Sequence, residues 1–165
     1  MSKIYLNRPI KGIPVKGKII KEKIIIHNTD KILFFKLNSR KDEFFIPRMS
    51  NESLFEGFIE KFVGACEEEP FFESIRYESR FETVNLSLKK IYYEYIRRYY
   101  SCYMEFDENL IGEISDFAFK ANFEPHLFTF EEVKNLDKNK SIKFDYSIPA
   151  AVNVLDQKIK KYVRY

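Results

Sequence analysis

Tryptophan is absent, cysteine and histidine occur twice each, and only five glycines are spread over 165 residues. The glycines (Gly12, Gly17, Gly57, Gly64 and Gly112) form neither GxGxxG nor GxxxxGK[ST], which removes the standard phosphate-cradling loops. There is no GxSxG nucleophile elbow and no kinase motif set. His27 and His126 fall in no HExxH or HxH pattern, and Cys66 and Cys102 in no CxxC pattern, so no metal, cofactor or catalytic residue is expected. Long apolar runs are also missing, so no membrane span is expected. Met1 to Gly12 carries Lys3, Arg8 and Lys11 in place of the apolar core of a signal peptide. With no export signal, the two cysteines are expected as reduced, buried thiols in a cytoplasmic protein.

What is abundant is apolar and aromatic. Apolar residues make up 45% of the chain, with 17 Phe and 11 Tyr, enough for one compact domain spanning residues 1–165. Ile, Lys, Asn, Phe and Tyr all have AT-rich codons, so genome bias alone inflates Lys and Phe. The charge is segregated beneath a formal total of +3. Residues 1–50 hold 12 Lys/Arg against 4 Asp/Glu, residues 51–137 hold 9 against 19, and residues 138–165 hold 7 against 2. This basic–acidic–basic order points to a polyanion-binding face or a charged partner.

Periodicity predicts an α+β fold in the order β-β-β-α-β-α-α-α-β-α. Residues 1–50 read as a basic antiparallel meander: Lys18 to His27, a turn at Asn28-Thr29-Asp30, Lys31 to Leu37, and Phe44-Phe45-Ile46. Ser50 to Cys66 reads as a helix with its apolar face at Leu54, Phe55, Phe58, Ile59, Phe62 and Val63. Ser74 to Val84 alternates strictly, as a strand does. From Asn85 to Phe106 the spacing of Leu88, Ile91, Tyr92, Tyr95, Tyr99 and Cys102 predicts a second helix. A third helix is expected over Glu108 to Ala121. A short one follows, capped by Thr129 and Glu132, and Glu124-Pro125-His126 reads as a loop. A strand over Ile142 to Ile148 and a final helix from Pro149 complete residues 138–165.

Two surfaces stand out. Lys16, Lys18, Lys21, Lys23, Lys31, Lys36, Arg40 and Lys41 accompany Phe34, Phe35, Phe44 and Phe45 in the meander, and Lys158, Lys160, Lys161 and Arg164 end the last helix. Cations for phosphates and aromatics for stacking suit a single-strand nucleic-acid binder, whereas charge alternation such as Lys21-Glu22-Lys23 suits an ordinary solvated face. The predicted helix over Asn85–Phe106 leaves Lys89, Tyr93, Arg97, Tyr100 and Met104 on one arc, a mix of types enriched at interface cores.

Together these features predict a non-catalytic binding protein, with a nucleic-acid-associated accessory or regulatory factor leading. The alternative is a protein-binding inhibitor or immunity-type factor, of phage or mobile-element origin, working through an aromatic or acidic surface. A small metal-dependent nuclease is third, resting on the E-x-K spacing of Glu132-Val133-Lys134. If the two basic ends meet in space they form one face; if they are apart, the segregation is incidental.

Overall fold

The structure is a computed structural model that describes residues 1–37, 43–48, 66–135 and 147–163. Among these residues, seven strands form one mixed sheet: β1 (Ser2–Tyr5), β2 (Val15–His27), β3 (Lys31–Leu37), β4 (Phe44–Phe45), β5 (Phe72–Val84), β6 (Ser87–Tyr103) and β7 (Phe123–Thr129). The helices are α1 (Glu108–Lys120), α2 (Phe130–Lys134) and α3 (Ser147–Val163). The class is α+β, as the sequence predicts. The helix expected at Ser50–Cys66 and the strand expected at Ile142–Ile148 fall outside the described residues, apart from their last positions. Of these, Cys66 forms an isolated bridge and Ser147 and Ile148 begin α3.

The meander forms as its residues dictate. Asn28 closes the β2–β3 turn twice over, its Oδ1 accepting from the Asp30 and Lys31 amides at 3.0 and 2.7 Å. The two strands then splay after the His27–Ile32 pair, and the chain around β4 fills the gap. The Ile24 amide donates to the Pro47 carbonyl at 3.0 Å, and Lys23 bridges to Arg48. β7 lies along the other side of β3 over its whole length, from Lys31–Thr129 to Leu37–Phe123. Glu124-Pro125-His126 is therefore strand rather than loop. Pro125 is tolerated there because an edge strand has one side on which no ladder donor is needed.

The sheet is covered on both faces at this end, so Ile24, Ile25 and Ile26 are all fully buried despite pointing alternately. Ile25, Phe34, Tyr99 and Phe72 pack under α2 and α3 with Val133, Val152 and Leu155. Ile24, Ile26, Leu33, Phe35 and Cys102 pack under α1 with Ile114 and Ala118. Asp107 caps α1 by accepting from the Leu110 amide at 2.7 Å, and Asn122, at φ 62°, ends it in the left-handed conformation. Thr129 and Glu132 form the expected capping box of α2.

The largest departure is β6. Ser87–Tyr103 is a 17-residue strand, not a helix, and pairs with β5 through 13 consecutive positions from Phe72–Tyr99 to Val84–Ser87. On its other side β6 runs parallel to β2 from Val15–Tyr92 to His27–Tyr103. Both faces of β6 carry Tyr and Ile, so almost any period finds an apolar stripe. β-branched and aromatic side chains then favour the pleated surface.

Candidate interaction surface

Strand lengths in the sheet are unequal, and this creates the site. β1 pairs with β5 only as far as Tyr5–Ile75, and β2 begins opposite Tyr92. Among the described residues, the β5–β6 ribbon has no neighbouring strand from Arg80–Ile91 to Val84–Ser87. Those five pairs carry it about 17 Å beyond the rest of the sheet. It closes through Asn85 and Leu86, with φ of 51° and 66°, the conformation of a two-residue I′ hairpin turn. The Ser87 hydroxyl donates back to the Val84 carbonyl at 3.0 Å.

The base of the ribbon is braced from both sides. The Asn7 side chain behaves as an extra strand residue, donating to the Tyr77 carbonyl at 2.8 Å and accepting from its amide at 2.7 Å. The segment from Leu6 to Pro14 then crosses to β2. Its Ile10 amide donates to the Tyr92 hydroxyl at 3.3 Å, and its Pro14 carbonyl accepts from the Tyr92 amide at 2.9 Å. On one face Arg80 lies over the ring of Tyr93, 4.6 Å from its centroid, and Arg76 over Tyr95 at 5.6 Å. The Tyr93 hydroxyl donates to Glu82 Oε1 at 2.5 Å, and Lys16 donates to Oε2 of the same carboxylate. These hydrogen bonds hold the Glu82 carboxyl below the usual range and raise Lys16 and Tyr93 above theirs. On the opposite face the Tyr77 hydroxyl donates to Glu94 at 2.8 Å, which pushes the phenol up to about 12.

The outer part of the ribbon exposes Phe81, Val84, Leu86 and Leu88 among polar and charged side chains. Thirteen large apolar residues are exposed among those described, and nine fall in residues 5–20 and 81–88: Tyr5, Leu6, Ile10, Val15, Ile20, Phe81, Val84, Leu86 and Leu88. Leu86 is 100% exposed, Leu88 71% and Phe81 69%. Residues 6–20 and 76–94 together also carry eight cations (Arg8, Lys11, Lys16, Lys18, Arg76, Arg80, Lys89 and Lys90) against Glu78, Glu82 and Glu94. The acidic middle segment of the sequence thus contributes four of its cations to a basic arm.

The basic residues singled out in the sequence do not share one face. Lys16 sits beside Glu82, while Lys18 lies 3.9 Å from Glu94 on the other face of the sheet. Lys21 and Lys23 alternate with Glu22 along β2, on the face that α3 covers further along. Lys31 opens β3 opposite Thr129, and Lys36 lies opposite Glu124. Lys158 pairs with Glu67 at 3.3 Å and Lys160 with Asp156 at 3.2 Å, and Lys161 is exposed. Arg40, Lys41 and Arg164 fall outside the described residues. Lys158 is beside His27, at the end of β2 furthest from Lys16, so the basic end of α3 lies about 36 Å along the strand from the arm. Phe34 and Phe35 are both fully buried, leaving neither for stacking.

The helical arc is also redrawn. In a strand, alternate residues share a face. Lys89, Tyr93 and Arg97 therefore lie on one side of β6 and Tyr100 on the other, while Met104, past the strand end, is buried beneath α1. Glu132 and Lys134 serve the fold: Glu132 completes the α2 cap and Lys134 donates to Asp156.

A cavity of about 190 Å³ lies at the opposite end of the sheet, between His27, Glu67, Ser101, Tyr103, Leu155 and Lys158. His27 is buried, and its Nδ1 donates to the Asn28 carbonyl at 2.9 Å, leaving Nε2 an acceptor with no donor among the described residues. Burial holds the imidazole below its ordinary pKa.

Comparison with known protein families gives no match, and no curated protein is recognisably similar in sequence.

Proposed function

We propose that this protein acts by binding, and that the outer β5–β6 ribbon engages a protein partner through its apolar tip. The observation that carries the reading is the concentration of exposed Phe81, Leu86 and Leu88 on one projecting element that no further strand flanks among the described residues. Isolated exposed apolar residues are ordinary, but a cluster on an extension with no core to cover marks an interaction surface. Leu86 sharpens the point: a left-handed φ of 66° disfavours a Cβ-bearing residue, so neither stability nor solubility accounts for leucine there. The excess of Lys and Arg flanking the tip suits a partner patch that is apolar at its centre and acidic at its border.

The test is parallel affinity capture from source-cell lysate with the wild-type chain and Leu86→Ser/Leu88→Ser as baits. The reading expects one protein species held by the wild type and lost by the variant, with unchanged circular dichroism. Equal capture by both baits contradicts it.

The charge of the arm favours a second reading. Eight cations against three carboxylates, shared between the ribbon and the adjoining residues 6–20, suit nucleic acid, and a two-stranded ribbon is narrow enough for a major groove. Anisotropy of labelled single-stranded DNA, RNA and duplex DNA over a salt series separates the two. Phosphate-driven binding weakens steeply with salt, and binding unchanged up to about 0.5 M excludes it.

A further inference from the structure

We propose that Cys66 and Cys102 are a thiol-oxidation site that closes to a reversible disulfide. The residues are 36 positions apart in sequence, yet the fold makes them direct partners across an antiparallel bridge. The Glu67 amide donates to the Ser101 carbonyl at 3.1 Å, and that bond joins the residue after one cysteine to the residue before the other. This is the pattern of a non-hydrogen-bonded cross-strand pair, whose Cα atoms stand about 4.5 Å apart. Disulfides need about 4.4–6.8 Å, so the sulfurs can join without moving either strand. Both side chains belong to the cluster beneath α1, and their thiols already share a hydrogen bond.

The two thiols are unequal in a way that orders the chemistry. Cys102 is fully buried, whereas Cys66 is half-buried and can be reached from solvent. The hydrogen bond from Cys102 favours the Cys66 thiolate and lowers its pKa, against burial and the neighbouring Glu67 carboxylate, which raise it. With oxidised glutathione as oxidant, the Cys66 thiolate attacks one glutathione sulfur and releases the other as glutathione thiolate. Cys102 then loses its proton and attacks Cys66 Sγ, forming the intramolecular disulfide and expelling the second glutathione. Two protein thiols are oxidised and one glutathione disulfide is reduced to two thiols. The bond would fasten Glu67 to β6 and so fix one wall of the cavity that Glu67, Ser101, His27 and Lys158 enclose.

The experiment treats the native folded 165-residue chain with a series of reduced-to-oxidised glutathione ratios and reads intact mass and non-reduced peptide maps. Expected for the wild type is loss of both thiol hydrogens, a Cys66–Cys102 linked peptide, and full reversal by reductant. Cys102→Ser should instead trap a glutathione adduct on Cys66, at least about tenfold above the wild-type level, because the resolving thiol is gone. Cys66→Ser should leave Cys102 unmodified. Free thiols throughout the series in the wild type, or a wild-type adduct as abundant as that of Cys102→Ser, would overturn the proposal. The wild-type measurement decides it even if neither variant folds.

Discussion

Phe81 and Leu88 are diagonal neighbours on one face of the β5–β6 ribbon, and both are exposed. Among the described residues no strand flanks them, because β1 and β2 end before the ribbon does. Their burial is available to a partner, at about 1.5–3 kcal/mol for each large side chain fully covered.

Leu86 separates function from stability. Glycine adopts its left-handed φ without the steric cost that a Cβ imposes. Leu86→Gly is expected to raise the free energy of unfolding by about 0.5–1 kcal/mol in urea titration, while weakening capture of the partner. A variant that is less stable and still binds fully would mean the turn is not strained and the tip is not used.

Lys134 joins α2 to α3 through Asp156, which is only 7% exposed and also receives Lys160. Burial raises the Asp156 carboxyl, but the hydrogen bonds from the two lysines outweigh it and hold the group below the usual range. Lys134→Met should cost about 1–3 kcal/mol by leaving the carboxylate short of its closest partner. Because the folded value is depressed, the pair stabilises fully above the unfolded pKa and loses that contribution as pH falls through the folded value. The stability difference between wild type and Lys134→Met should therefore narrow in acid.

His27 produces an acid limb of its own. Burial lowers its pKa, helped by Lys158 and opposed by the Asn28 carbonyl and Glu67. The unfolded chain then takes up a proton first, so the His27 contribution is flat above about pH 6.5 and falls as pH drops below it, by at most about 1.4 kcal/mol per pH unit. Urea midpoints of the wild type and His27→Leu between pH 7.5 and 5.5 check this; the variant should lose that part of the slope.

Much of the fold was legible because local chemistry and global structure agree. The Ile-rich β2, the Asn28 turn, β3, α1 and the Thr129–Glu132 cap appear close to where periodicity puts them. Ser74 to Val84 alternates cleanly and is strand. Its partner reads as a helix because tyrosine fills both faces of β6, erasing the polar–apolar contrast on which a period depends. Asn85-Leu86 lacks the glycine that would flag a two-residue hairpin, so the turn at the ribbon's end reads as a helix start. The candidate interaction surface is hidden from the sequence because its cations come from two segments of opposite net charge that only the fold brings side by side.

The most direct measurement is site-specific photocrosslinking in cells of origin. A photoreactive residue replaces Thr83, which is exposed opposite Leu88 on the ribbon, or Phe119, an exposed aromatic on α1 away from it. The account predicts a covalent adduct to one protein species from position 83 and none from position 119. No adduct from position 83, or equal adducts from both, would contradict it.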